Sequence, residues 1–195
     1  MKLFRLLGLG ALLALAGTGI SSCLSPPDYP IEPNIDFKDI KLVRVPNADG
    51  GNIELDTVIV SLNFRDGDGD LGLDDADIKV PPFNTTTGGH NNLGYRNNFF
   101  VQPFKKVGGV NGSFVKFVTP LLPQGKYDGR YPRLDGSVDG KRAPLKGSMT
   151  YKLPVLTLDR SNFNVGDVFR FEVSILDRGL HESNVITTAE VVLGR

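Results

Sequence analysis

Two stretches alternate apolar and polar residues most sharply. Val58, Val60, Leu62 and Phe64 alternate with Thr57, Ser61, Asn63 and Arg65, with Ile59 the one apolar residue on the polar side. Further on, Phe169, Phe171, Val173 and Ile175 alternate with Arg170, Glu172 and Ser174. Period two marks a strand with one buried face. The same pattern predicts strands over residues 40–45, 99–107, 114–118, 149–158 and 185–193. Tyr151, Leu153 and Val155 share a face in the first half of the last third, and Val185, Thr187, Ala189, Val191 and Leu193 share one in the closing strand. Pro103 marks an edge or a bulge in its strand. Turn chemistry separates the runs: Pro46-Asn47, Asp49-Gly50, Gly108-Gly109, Asn111-Gly112 and the stretch 177–184. Seven such strands predict an all-β, two-layer antiparallel β-sandwich of the immunoglobulin-like kind. Residues 81–98 offer turns without a core. Residues 120–147 are interrupted every few positions by Pro, Gly or Asp-Gly, and a loop that long inside a domain points to function or to a missed element.

The N-terminus does not belong to this pattern. Met1-Lys2-Leu3-Phe4-Arg5 is a short basic start, followed by an apolar run to Ala16 and then Ile20-Ser21-Ser22-Cys23. The run is too short and too glycine-rich to span a bilayer and reads as a secretory leader, residues 1–22. Its end resembles a bacterial lipobox, in which the cysteine is lipidated and becomes the first mature residue. Cys23 is the sole cysteine of the chain, so it has no intramolecular partner. It is expected to carry lipid (palmitate among its chains) and to anchor the protein to a membrane without spanning it. Residues 23–35, with Pro26, Pro27, Pro30 and Pro33, form an extended tether; residues 36–195 form the domain. The full chain has 22 basic and 22 acidic residues, and a leader carrying Lys2 and Arg5 but no acid leaves a mature charge of −2. That balance offers no footprint for nucleic acid.

One segment concentrates site chemistry. Asp66-Gly67-Asp68-Gly69-Asp70-Leu71-Gly72 follows directly on the strand at 57–65, with Asp74, Asp75 and Asp77 behind it. Alternate carboxylates spaced by glycine form a hard, oxygen-rich cup suited to calcium. Asp66, Asp68 and Asp70 match the first, third and fifth places of an EF-hand loop. The match then fails: Leu71 stands where glycine is needed, Asp77 stands where glutamate is needed, and a strand enters where a helix should. The expectation is an aspartate-rich calcium loop on a β scaffold, with Asp66, Asp68 and Asp70 as main ligands and Asp74 and Asp77 as further candidates. If 57–65 and 168–176 are the second and sixth strands of the sandwich, their exits lie at one end. Asp177 would then join the ion.

The leader ending at Cys23, the strand and loop Val58–Gly72, and the closing run Phe171-Glu172-Val173-Ser174-Ile175-Leu176-Asp177-Arg178 with Ser183-Asn184 and Thr187-Thr188 together resemble a family of exported lipoproteins of Bacteroidetes. The resemblance implies an immunoglobulin-like fold and a place on the outer membrane, facing periplasm or cell exterior, and implies no activity. The residues themselves argue against an enzyme. His181-Glu182-Ser183 are neighbours in sequence, whereas a catalytic triad is assembled from separated segments. No nucleophile elbow, phosphate loop or zinc pair is present. The expected function is a non-catalytic, lipid-anchored envelope module, stabilised by calcium, that contacts another envelope protein or a glycan. The alternative is a glycan-binding lipoprotein of a carbohydrate-uptake system, with Tyr95, Phe99, Phe100, Tyr127 and Tyr131 as a sugar platform.

Overall fold

The computed structural model describes residues 27–45, 55–120, 123–134, 142–153, 156–157 and 163–193. The leader, Cys23 and the first residues of the tether lie outside the described residues. Nine strands are described: β1 (Asn34–Val45), β2 (Leu55–Asp66), β3 (Phe99–Val107), β4 (Ser113–Lys116), β5 (Leu145–Lys152), β6 (Leu156–Thr157), β7 (Val168–Ile175), β8 (Ile186–Thr187) and β9 (Val191–Val192). Among the described residues the only helical turns are two three-residue 3-10 turns. One sheet has the order β1-β2-β5, with β6 continuing beside β2; the other has the order β4-β3-β7-β8, with β9 continuing beside β7. Counting β5 with β6 and β8 with β9 as interrupted lanes, seven lanes form two antiparallel sheets. Their order is that of an immunoglobulin-type sandwich with an added strand beside the third lane.

The core lies between the sheets and is built by the predicted alternation. Val58, Val60 and Leu62 of β2 are wholly buried, as are Phe169, Phe171, Val173 and Ile175 of β7. Phe117, Phe163 and Phe169 pack with ring centroids 5.1–5.3 Å apart. Pro103 sits inside β3 without breaking it. Its carbonyl accepts from Phe117 N on the β4 side, so its missing N–H also faces that side, just beyond the β4 ladder. The Gln102 side-chain amide donates to Phe117 O at 3.3 Å instead.

Three expectations are corrected. β1 begins at Asn34, six residues before the start predicted for the first strand at 40, because Ile35 is buried and the Ile35 amide donates to the Asn184 side chain. β5 begins at Leu145 rather than 149. Gly147 lies so close to the Phe64 ring that a Cβ there would come within 2.9 Å of it, and the glycine therefore serves packing rather than a turn. The closing strand keeps a different register from the expected one. Glu172 pairs with Thr187 and Phe169 with Val191, so this lane gains one residue on β7, which is a bulge. Ile186 and Thr188 consequently face inward, Val185 and Thr187 face out, and Val191 and Leu193 return to the core.

Thr188 holds the bulge: its Oγ1 accepts from Phe171 N at 3.0 Å, and its own amide donates to Phe171 O at 2.9 Å. Thr188→Val leaves the buried Phe171 amide without an acceptor. It is expected to cost about 1–3 kcal/mol, read as a lowered melting temperature, while Thr187→Val stays within about 0.5 kcal/mol.

Candidate metal centre

β2 places the first ligand by its own alternation. Positions 58, 60, 62 and 64 face the core, and Asp66 is the next inward position, fully buried at the end of the strand. The chain then turns. Asp70 N donates to Asp66 Oδ2 at 3.0 Å, closing residues 66–70 into a tight loop. Gly69 has φ +70°, and a Cβ there would collide with the Ala143 carbonyl; one on Gly72, at φ +92°, would collide with Pro132 O. Both positions need glycine for conformation and for close approach. The loop is thus enclosed by passing backbone.

The other sheet supplies the fourth carboxylate. β7 ends at Ile175, and Asp177 forms an isolated antiparallel bridge with Leu71. Arg178 fastens the two exits. Its amide lies 3.3 Å from both Asp70 O and Asp70 Oδ1, and its guanidinium donates to Leu71 O and Gly72 O at 3.2 and 3.0 Å. The result is a cluster of Asp66, Asp68, Asp70 and Asp177, each offering an oxygen within 4.8 Å of the others. Oxygens on one calcium at about 2.3–2.6 Å lie at most about 4.6–5.2 Å apart, so the spacing fits a single ion. Asp66, Asp70 and Asp177 are 0–1% exposed.

Two buried oxygens are left without a hydrogen-bond partner in this rim: Asp66 Oδ1 and Asp68 Oδ1. Buried carboxylate oxygens are normally satisfied. Arg142, largely exposed, lies 3.4 Å from Asp70 Oδ2, and the Arg178 charge also acts on the Asp70 carboxylate. Asp177 is held by its neighbour His181, whose backbone N donates to Oδ1 at 2.8 Å and whose Nδ1 lies 2.9 Å from Oδ2. Burial pushes the Asp66 carboxyl up to about 6, with Asp68, Asp70 and Asp177 adding repulsion and the Asp70 amide opposing. Burial also raises Asp70 and Asp177. The hydrogen bond to Asp177 raises His181. The cluster is thus a hard-donor, oxygen-only site short of positive charge, and it could hold a metal ion.

Asp74 and Asp77 are placed elsewhere. Leu71–Leu73 turns away, and Asp77 sits in a 3-10 turn where its Oδ2 accepts from Asp74 N and from Arg133 Nε at 2.8 and 2.9 Å. The Arg133 hydrogen bond, chiefly, holds Asp77 down at about 2. Asp75 pairs with Arg130. These acids therefore anchor the 129–134 segment rather than face the cluster. The sequence predicts a loop over residues 120–147 around that segment, yet Tyr127 and Tyr131 are buried in the core. Asn98, fully buried, clasps it: Oδ1 accepts from Tyr131 N at 2.9 Å and Nδ2 donates to Tyr131 O at 3.3 Å. Asn98, His181 and Arg178 were missed as parts of the rim; only the spacing of Arg178 after Asp177 hinted at one of them.

Of the five platform aromatics, Phe99, Phe100, Tyr127 and Tyr131 are buried and only Tyr95 is part-exposed. His181, Glu182 and Ser183 serve different partners: Asp177, Ser174 with His90, and Ile175 N. Comparison of the chain with family models, curated proteins and solved structures finds no match.

Asp66 makes stability depend on pH. Its folded value of about 6 exceeds the ordinary 3.8, so between these values the native state holds a proton that the unfolded chain releases. Stability of the metal-free protein should therefore fall as pH rises from about 4 to 6, by on the order of 2–3 kcal/mol. Asp77 acts oppositely and lower, losing its contribution as pH falls from 3.8 to about 2. Melting temperatures in a chelator should be higher at pH 5 than at pH 7, and saturating calcium should abolish or reverse that order.

Proposed function

We propose that this chain is a non-catalytic module of the bacterial cell envelope, lipid-anchored through Cys23 to the outer membrane, whose sandwich is stabilised at one rim by calcium. The observation that carries the ion is the convergence of four aspartates from two sheets, with Asp66 Oδ1 and Asp68 Oδ1 buried and unpartnered. Calcium accepts six to eight oxygens in flexible geometry, whereas magnesium demands a stricter octahedron and keeps more water. A loop closed by glycine turns and a second-strand carboxylate suits the former. The partner in the envelope is a protein or a glycan; among the described residues no exposed aromatic platform favours the glycan.

Calcium bound by the native state alone should raise the melting temperature in proportion to the logarithm of its concentration. At a hundredfold excess over Kd the gain is about 2.7 kcal/mol, or roughly 5–10 °C for a domain of this size. Asp68→Ala should abolish the response, and a full response in that variant would remove the loop as the site. His181→Ala should weaken calcium by about 10–100-fold, as loss of an orienting hydrogen bond does. His181→Asn, which retains a donor near Nδ1, should restore part of it.

The anchor is tested separately. Cys23→Ser should shift the protein from the membrane fraction to the soluble envelope fraction, and the unchanged protein should label with radioactive palmitate. A variant that stays with the membrane would overturn the anchor and leave the metal centre untouched.

A further inference from the structure

The acidic loop has a neighbour that its ligand chemistry does not use. Gly67 lies between Asp66 and Asp68, the two residues with unpartnered oxygens. Its backbone is pressed against the N-terminal segment: a Cβ on Gly67 would strike the Tyr29 carbonyl and come within 2.6 Å of Pro30 O. The segment continues through Pro33, which is buried, to Asn34 and Ile35, where the Asn184 side chain binds the Ile35 amide at 2.8 Å and the Ile35 carbonyl at 2.9 Å. Tyr29 is half-buried, and among the described residues no backbone hydrogen bond joins residues 27–33 to the loop. Glu32 is close enough to His181, the holder of Asp177, to act on it electrostatically. The last stretch of tether therefore meets the loop by close packing at Gly67.

We infer that the partner of the ion site is this N-terminal segment: calcium, by fixing Asp66 and Asp68, fixes Gly67 between them and so clamps residues 27–33 to the rim. This rests on the calcium reading above. Close packing on a single glycine demands that the glycine be held in place, and two adjacent carboxylates that repel each other cannot hold it. An ion bridging them to Asp70 and Asp177 makes the loop one rigid body with both sheets. Tyr29 is six residues from Cys23, a span of at most about 20 Å. A clamped segment would thus keep the ion rim close to the lipid surface and set the domain's orientation on it, whereas a released one would let the domain swing on a longer leash.

The test is nitrogen-15 relaxation on the full-length chain, read at the Tyr29, Ile31 and Glu32 amides during a calcium titration, with melting temperature followed on the same samples. Order parameters should rise from below about 0.6 in chelator to about 0.85 in calcium, with the same midpoint as the melting response. In Asp68→Ala neither quantity should move. A melting response with these amides mobile throughout, or rigid even in chelator, would overturn the clamp and leave the calcium site standing. No melting response in the unchanged chain would overturn both.

Discussion

Four carboxylates meet, three of them fully buried and Asp68 half-buried, and the joining of the two sheets at that end depends on their being kept together. Asp66 ends β2, Asp177 follows β7, and the Leu71–Asp177 bridge and Arg178 tie the exits. Each of these features brings like charges closer. Burial alone makes that costly, and the raised carboxyls of Asp66, Asp70 and Asp177 express the cost. Either protons or a cation must offset it; at neutral pH protons do so poorly, and a hard divalent cation does so well.

Around this point the fold is arranged in layers of support. Gly69 and Gly72 let the backbones of Ala143 and Pro132 close in. Asn98 fastens Tyr131, whose amide neighbourhood in turn carries Leu73 through the Leu73 N to Tyr131 O bond. His181 orients Asp177 from one side, and the Asp77–Arg133 pair pins the far end of the acidic loop. The positive charge of Arg133 is spent there, outside the cluster. The contacts of Gly69, Gly72, Leu73 and Asp77 join segments more than fifty residues apart, so the rim can be complete only once both sheets have formed.

Much of this was legible in sequence because it follows from local periodicity. The alternation 58–60–62–64 places Asp66 inward as surely as it places Phe64, and the direction of two strands was enough to bring Asp177 to the loop. What was not legible depended on meetings between distant residues. Asp74 and Asp77 look like further ligands in one dimension, and only Arg133 and the turn at Gly72 divert them. The closing strand reads as one uninterrupted face from Val185 to Leu193 until Thr188 claims the Phe171 amide and inserts a bulge. Tyr127 and Tyr131 lie among so many turn residues that nothing local marks them as core.

The central claim is that one calcium ion sits among Asp66, Asp68, Asp70 and Asp177. The most direct measurement is a crystal structure grown with calcium, with the ion placed by its anomalous signal. The account predicts one peak at about 2.3–2.6 Å from oxygens of these four residues, with Arg142 withdrawn from Asp70. A peak at Asp74 and Asp77 instead, or Arg142 lying across the cluster in the presence of calcium, would contradict it.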